Sequence, residues 1–140
     1  MRLNAFGRYD MTGKILALIF AWAVIATIVV PTIIIAHSWK APKEASERQN
    51  PVPKNQDSIE RGIALYRKYC ASCHGKNGQG DGPLAKNLTP KPADLVERAA
   101  HHSDGDFAWK ITNGRGAMPA FKDQLSEAEI WDLTNFIKRK

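Results

Sequence analysis

The chain has 140 residues, which suits one ordinary domain with a short appendage. Its formal net charge of +6 lies mainly at the front, because residues 1–56 carry four surplus positive charges and residues 57–140 only two. The nearly balanced second part lacks the basic surface that nucleic-acid binding requires. With two cysteines in the whole chain, a framework of several disulfides is also excluded.

Residues 15–36 form an apolar run without one charged side chain. As a helix these 22 residues are about 33 Å long, enough to cross a hydrocarbon core of about 30 Å. We therefore predict a transmembrane helix over residues 15–36. Arg2, Arg8 and Lys14 precede it, so the positive-inside rule predicts that residues 1–14 are cytoplasmic.

A cleaved signal peptide is the alternative for this segment, and it would release a soluble protein. The apolar run is longer than the roughly 7 to 15 residues of a signal core. The sequence Ala36-His37-Ser38 is also a poor small-x-small cleavage site. We therefore expect the apolar segment to stay in the mature protein as an anchor.

Residues 37–56 are rich in proline and charge. Pro42, Pro51 and Pro53 stand among Lys, Glu, Arg, Gln and Asn, with almost nothing apolar. This composition predicts a flexible linker that lets the following domain swing over the membrane surface. Ordering of the segment on a partner stays open.

The folded domain is predicted over residues 57–140. Asp57 and Glu60 have the spacing of a capping box, and Gly62 lies inside the predicted helix that follows. One face of that helix carries the apolar residues Ile59, Ile63, Tyr66 and Cys70. A glycine in mid-helix costs about 1 kcal/mol relative to alanine, so we interpret Gly62 as the point where another helix crosses.

The terminal residues predict that second helix. Ser126 and Glu129 form another capping box, and Ile130, Leu133 and Ile137 follow on one face. Between the two long helices the sequence indicates only loops and short helices, at residues 94–99 and from Ser103 to Gly114. No strand is predicted, so the fold class is all-α.

The motif Cys70-Ala71-Ser72-Cys73-His74 carries the chemistry. Two thiols three residues apart, followed at once by a histidine, have the spacing that attaches a c-type haem covalently, with the histidine as an iron ligand. A zinc site would need His101 and His102 to join both thiols. A redox dithiol would require a βαβ pattern, and a plain disulfide would leave His74 unexplained.

Met118 is the candidate for the second axial ligand. It is the only methionine after Met11, and it stands in the loop Gly114-Arg115-Gly116-Ala117-Met118-Pro119. Pro119 disfavours helix at Met118, and the glycines allow the backbone to approach a flat ring. Three alternatives stay open: a core-filling role for Met118, ligation by His101 or His102, and an iron with an open position.

In their order along the chain, these features resemble the class I monohaem cytochromes c. The resemblance covers residues 57–140 and includes the capped helix, the haem motif, the glycine-rich loop before Pro83, the Met118-Pro119 pair and the aromatic terminal helix. It implies that Cys70 and Cys73 hold one haem c and that His74 and Met118 are the axial ligands.

Further roles follow from the resemblance alone. The carbonyl group of Pro83 is expected to accept a hydrogen bond from the axial histidine. Gly62 and Tyr66 are expected to face Trp131 at the contact between the first and last helices. Trp109 and Arg115 are candidates to reach the haem propionates, with core packing as the alternative for Trp109.

A haem iron with two strong axial ligands has no position for a substrate, so the expected protein is an electron carrier and not an enzyme. The resemblance implies a quinol-oxidising cytochrome bc-type complex as donor and a terminal oxidase or photosynthetic reaction centre as acceptor. A fixed electron-transfer subunit of a larger membrane complex is the main alternative. An open-site haem enzyme or gas sensor is the third class.

The compartment follows from the same features. Covalent haem attachment takes place outside the bacterial cytoplasm, and the charge asymmetry also sends the chain after residue 36 across the membrane. We therefore expect a single-pass protein of the bacterial inner membrane with its haem domain in the periplasm.

Overall fold

The computed structural model describes residues 39–139, and these residues form a small helical domain. The helices of this part are α1 (Lys43–Ser46), α2 (Gln56–Tyr69), α3 (Ala71–His74), α4 (Leu95–Ala99), α5 (Asp104–Asn113) and α6 (Glu127–Ile137), with a short 3₁₀ helix over Ala85–Asn87. Within residues 39–139 no strand forms, and one isolated bridge joins Arg115 to Met118. The expected all-α domain is confirmed for this part of the chain.

Helix α2 begins slightly earlier than its sequence pattern predicts. The side chain of Asn55 accepts a hydrogen bond from the backbone N–H of Ser58 at 2.9 Å. Asn55 is therefore the N-cap, and the predicted box of Asp57 with Glu60 is wrong. Asp57 lies in the first turn, where its charge favours the positive end of the helix dipole.

Helices α2 and α6 cross at Gly62, as the sequence predicts. A Cβ atom on Gly62 would lie 2.3 Å from the carbonyl oxygen of Asp132 and 2.7 Å from Cβ of Phe136. One turn later the rings of Tyr66 and Phe136 meet at a centroid distance of 5.0 Å. The expectation that Trp131 faces Gly62 is therefore wrong in detail: Asp132 and Phe136 meet it, because they lie on the face of α6 turned toward α2.

Buried polar groups fasten the same crossing. Asp132 is 3% exposed and accepts hydrogen bonds from the Ser58 hydroxyl at 2.6 Å and from Arg61 Nε at 2.7 Å. A second Arg61 nitrogen donates to Asp132 Oδ1 at 2.8 Å, and the amide of Asn135 donates to the Ser58 hydroxyl at 2.8 Å. A buried carboxylate with these donors is satisfied.

The other helices begin and end close to the residues that the sequence predicts. Ser126 and Glu129 form the predicted capping box at the start of α6. Asp94 caps α4 and Ser103 caps α5, which ends before Gly114. The core lies between α2, α5 and α6, and its buried residues are Tyr66, Ala108, Ile111, Phe121, Leu125, Ile130, Trp131, Leu133 and Phe136.

The prediction of a flexible linker over residues 37–56 is wrong for residues 40–56. These residues belong to the same compact unit as the rest of the domain. We call residues 40–55 the strap. The prolines do keep most of the strap out of regular helix, but it is attached by hydrogen bonds and ion pairs, which need no apolar periodicity.

The first half of the strap lies against α5. The N–H of Ala41 donates to Asp106 Oδ1 at 2.7 Å. A Cβ atom on Gly105 would lie 2.2 Å from the carbonyl oxygen of Ala45, so the strap backbone sits directly on the first turn of α5. A glycine at residue 105 is what permits this approach.

The second half of the strap lies against α6. Arg48 forms an ion pair with Glu127, and its guanidinium lies 5.5 Å from the ring centroid of Trp131. The Asn50 amide donates to Asn135 Oδ1 at 2.8 Å, and Asn135 is 1% exposed. The strap thus supplies a partner to a buried polar side chain of the core.

The predicted transmembrane helix over residues 15–36 lies outside the described residues. Among residues 39–139, none of the helices combines the length and apolar character that crossing a bilayer requires.

We predict that Asn50→Ala lowers the free energy of unfolding by about 1–3 kcal/mol, because it leaves the buried Asn135 oxygen without its donor. Chemical denaturation measures the change. Gln49→Ala is the matched control, since Gln49 is the exposed neighbour of Asn50 and should change stability by less than about 0.5 kcal/mol. Equal effects of the two substitutions would show that the strap is not bonded as described.

Candidate haem-binding site

The haem motif begins where α2 ends. Cys70 is the C-terminal cap of α2, and the N–H groups of Cys73 and His74 donate to its carbonyl oxygen at 3.1 and 2.9 Å. The motif is therefore a single helical turn, which places the two cysteines at i and i+3 on one side. Both thiols are half-buried and are not joined in a disulfide.

The chemistry of Cys70 separates the candidate uses of the motif. Burial, together with the neighbouring Cys73, raises the pKa of this thiol to about 12. A redox dithiol needs an attacking cysteine with a lowered pKa. Cys70 is a neutral thiol at physiological pH, so the structure does not support that use.

His74 has one ring nitrogen engaged and one available. Its Nδ1 lies 3.1 Å from the carbonyl oxygen of Ala93. Burial lowers the pKa of His74, which favours the neutral ring that donates from Nδ1 and keeps a lone pair on Nε2. The structure therefore gives Ala93 the role that was expected of Pro83.

The segment around Pro83 instead forms hydrogen bonds with the backbone of the motif. Loop N–H groups donate to carbonyl oxygens of the motif in three bonds: Gly80 to His74 at 2.9 Å, Gly82 to Cys73 at 3.1 Å, and Leu84 to Ser72 at 2.9 Å. These bonds satisfy carbonyls that the end of a helix leaves open. Pro83 itself is exposed, and it lies between two of the donors.

Met118 lies in a tight turn. The N–H of Arg115 donates to the carbonyl oxygen of Met118 at 2.9 Å, and the reverse bond measures 3.1 Å. Gly114 and Gly116 have φ values of +61° and +59°, which only glycine adopts readily. Met118 is half-buried and packs against the core.

One aromatic contact ties the motif to the Met118 segment. The rings of Tyr69, next to Cys70, and Phe121, close after Met118, meet edge to face with centroids 5.9 Å apart. Cys70 and Met118 also pack against the same core cluster. The two predicted attachment regions thus meet the core together, although axial ligation by Met118 stays a prediction.

The two weaker candidates receive different placements. Trp109 lines a cavity of about 110 Å³ together with Arg48 of the strap and Trp131 of α6. This placement supports the packing interpretation of Trp109, and its contact with a propionate stays a prediction. Arg115 forms the Met118 turn through its backbone, while its side chain is exposed.

The adjacent histidines do not join the motif. His102 Nδ1 lies 2.6 Å from Asp106 Oδ2, and Lys110 Nζ lies at the same distance from that oxygen. Within residues 39–139 no three His, Cys, Asp or Glu side chains cluster as a metal site. The zinc arrangement of Cys70 and Cys73 with both histidines is therefore not formed.

Sequence reasoning missed Ala93. Pro90 and Pro92 precede it and hold the chain away from helix, which leaves its carbonyl oxygen free to accept a bond from outside the segment. The two prolines are visible in the sequence. Which group donates to the Ala93 carbonyl oxygen depends, however, on how the glycine-rich loop folds.

Comparisons with known proteins agree with this geometry. A family model described as cytochrome c oxidase, cbb3-type, subunit III matches residues 57–137. Cytochrome c6 of Anabaena variabilis is 37% identical over 84 residues, which are 60% of this chain and 92% of that protein. Cytochrome c6 of Bumilleriopsis filiformis is 32% identical over 79 residues, or 56% of this chain and 87% of that protein.

Two larger proteins match over part of their length. The CcoP subunit of the cbb3-type cytochrome c oxidase of Azospirillum brasilense is 32% identical over 81 residues, which are 57% of this chain and 28% of that subunit. A solved structure, the reducing HAO-like protein complex of Kuenenia stuttgartiensis, has a TM-score of 0.56 at 28% identity. That match covers 64% of this chain and 46% of the other.

The residues of this site fit a haem c. The thiols of Cys70 and Cys73 lie one helical turn apart, as two thioether bonds to one ring require. His74 offers Nε2 to a metal while its Nδ1 is held by a carbonyl group. This donor set is the one that the matched family implies for haem c.

We predict that Gly80→Ala lowers the free energy of unfolding by about 1–3 kcal/mol more than Gly116→Ala does. Both glycines have positive φ values, but a Cβ atom on Gly80 would lie 2.3 Å from the carbonyl oxygen of Pro92, whereas one on Gly116 would meet nothing within 4 Å. Thermal unfolding of both variants measures the difference.

A second measurement connects this clash to His74. Pro92 precedes Ala93, so its displacement should loosen the bond to His74 Nδ1 and speed solvent exchange of the Nδ1 proton, as followed by NMR. Unchanged exchange in Gly80→Ala would separate the loop from the histidine.

Proposed function

The chain belongs to the class I cytochrome c family, and we propose that it is a membrane-anchored carrier of single electrons with one haem ligated by His74 and Met118. The observation that carries the proposal is the bond from His74 Nδ1 to Ala93, which orients the ring and leaves Nε2 for the iron. The half-buried Met118 in its glycine-flanked turn supplies the second ligand.

The haem group, when bound, supplies a one-electron iron couple. The protein's own contribution is to hold it and to exclude water. Cys70 and Cys73 fix the ring covalently, while Ile111, Phe121 and Leu125 are each 5% exposed and provide an apolar interior. Leu84, by contrast, is 49% exposed and contributes less to that interior.

An occupied pair of axial positions explains why this chain is a carrier and not an oxidase or a sensor. With both ligands from the protein, the iron offers no site to a substrate. Methionine ligation also raises the potential compared with two histidines. The proposed donor is a cytochrome bc-type complex, and the proposed acceptor is a terminal oxidase or a photosynthetic reaction centre.

The anchor proposal rests on residues 1–36. Their uncharged stretch and preceding positive charges favour a single pass of the bacterial inner membrane, with the haem domain in the periplasm. The compact unit begins at Lys40, so residues 37–39 separate its start from the end of the proposed span. The linker between the proposed span and the domain is therefore much shorter than a free linker over residues 37–56 would be.

A short linker supports a second candidate function, a fixed electron-transfer subunit of a larger membrane complex. A long flexible linker favours a carrier that searches for several partners, and the docked strap removes most of that length. The similar CcoP protein is named as a subunit of an oxidase. Native gel separation after mild detergent extraction distinguishes the two: a mobile carrier migrates alone, and a fixed subunit migrates with its assembly.

We predict that Met118→Ala lowers the midpoint potential and lets the reduced protein bind carbon monoxide, because it removes the thioether ligand. Redox titration followed by absorption, with carbon monoxide difference spectra, measures both. His101→Ala is the control, since His101 is an exposed residue outside the site, and it should change neither. An unaltered potential and spectrum in Met118→Ala would refute Met118 as the ligand and return the choice to a histidine ligand or an open position.

We also predict that the full chain stays with membranes after alkaline carbonate extraction. A variant starting at Lys40, exported behind a cleavable signal, should appear in the soluble periplasmic extract with its haem attached. Immunoblotting and haem staining of the fractions measure this. Carbonate release of the full chain would argue against an integral anchor while leaving the electron-carrier proposal intact.

A further inference from the structure

Tyr66 contacts both the helix crossing and the haem motif. Its side chain is 2% exposed, and its ring packs on Phe136 of α6. Gly62, one turn earlier on the same face of α2, has no room for a Cβ atom. The position of the Tyr66 ring is therefore fixed by the close contact between the two long helices at Gly62.

The hydroxyl of Tyr66 extends from this crossing to the residue after the axial histidine. It donates a hydrogen bond of 2.8 Å to the carbonyl oxygen of Gly75, and the bond is buried. The same oxygen accepts the N–H of Gly78 at 3.2 Å. Gly75 is buried and has a φ of +79°, and these two hydrogen bonds hold its carbonyl oxygen.

The loop that begins at Gly75 holds His74 at two further points. The carbonyl oxygen of His74 accepts the N–H of Gly80 at 2.9 Å. The N–H of Leu95 donates to the carbonyl oxygen of Gly78 at 2.6 Å, which ties the loop to the segment that carries Ala93. Ala93 in turn accepts from the ring of His74.

The Tyr66 hydroxyl remains a donor throughout the physiological pH range. Burial raises the pKa of Tyr66, and the nearby Cys70 and Asp81 raise it further. The phenol therefore does not ionise at neutral pH, and its hydrogen bond to Gly75 does not switch with pH.

We propose that Tyr66 is a positioning residue for the axial histidine: its hydroxyl fixes the Gly75 peptide and thereby sets the orientation of His74 relative to the haem. The inference rests on the proposed ligation by His74. The hydroxyl also directs the positive end of its dipole toward the motif, and a positive dipole disfavours the oxidised iron.

Tyr66→Phe removes the hydroxyl and keeps the ring on Phe136. In the full haem-loaded chain we expect this variant to have a lower midpoint potential and a different pattern of haem methyl resonances in the oxidised protein, because that pattern depends on the orientation of the axial imidazole. Thr134→Val is the matched control, since it also removes a buried hydroxyl, which donates to the carbonyl oxygen of Ile130 at 2.9 Å and not to Gly75. It should leave the methyl pattern unchanged.

Incorporation of 3-fluorotyrosine at residue 66 gives a test that does not depend on a truncated side chain. The fluorinated phenol keeps the ring and is a stronger donor, so the potential should move upward, opposite to the shift in Tyr66→Phe. A lowered melting temperature in Tyr66→Phe, with the methyl pattern and the potential unchanged in both variants, would show a purely structural role and overturn the inference.

The unaltered protein separates this inference from the proposed function. If its spectrum shows no histidine and methionine ligation, the proposed ligand set fails and the role of Tyr66 fails with it. If that ligation is present and the substitutions at Tyr66 change neither the midpoint potential nor the methyl pattern, only the positioning role fails.

Discussion

The close approach of α2 and α6 at Gly62 is the contact on which the rest of the structure depends. It is possible only because residue 62 has no side chain, and it places Tyr66 against Phe136 and Asp132 against Ser58. The domain has no disulfide, so helix packing and the buried polar bonds must hold the haem motif in place. Since Cys70 ends α2, any shift at the crossing would be carried to the thiols.

The site is built mainly from backbone groups supplied by loops. The carbonyl oxygens of the motif are satisfied by loop N–H groups, and His74 is held by the carbonyl oxygen of Ala93. Backbone partners of this kind fix direction without adding charge, which suits a site that must change its own charge by one unit with little rearrangement. This arrangement supports electron transfer.

The sequence allowed prediction of the features that local patterns determine. The capping box of Ser126 with Glu129, the crossing at Gly62 and the single-turn haem motif are each encoded within a few residues. The strap was mispredicted because its attachment uses ion pairs and backbone bonds, which leave no apolar period. Ala93 was missed for a related reason, since any residue type supplies the same carbonyl oxygen. The fold and the attachment motif were thus predictable, and the partners that orient them were not.

The strap also changes how the domain would respond to mechanical load. A pull applied at Lys40 would first meet the bond from Ala41 to Asp106 and then the bond from Asn50 to Asn135, and both lead into α5 and α6. Tension would reach α2 only after these two hydrogen bonds had broken. The helix that leads into the haem cysteines is therefore protected from forces transmitted along the N-terminal chain, because the strap bears them first.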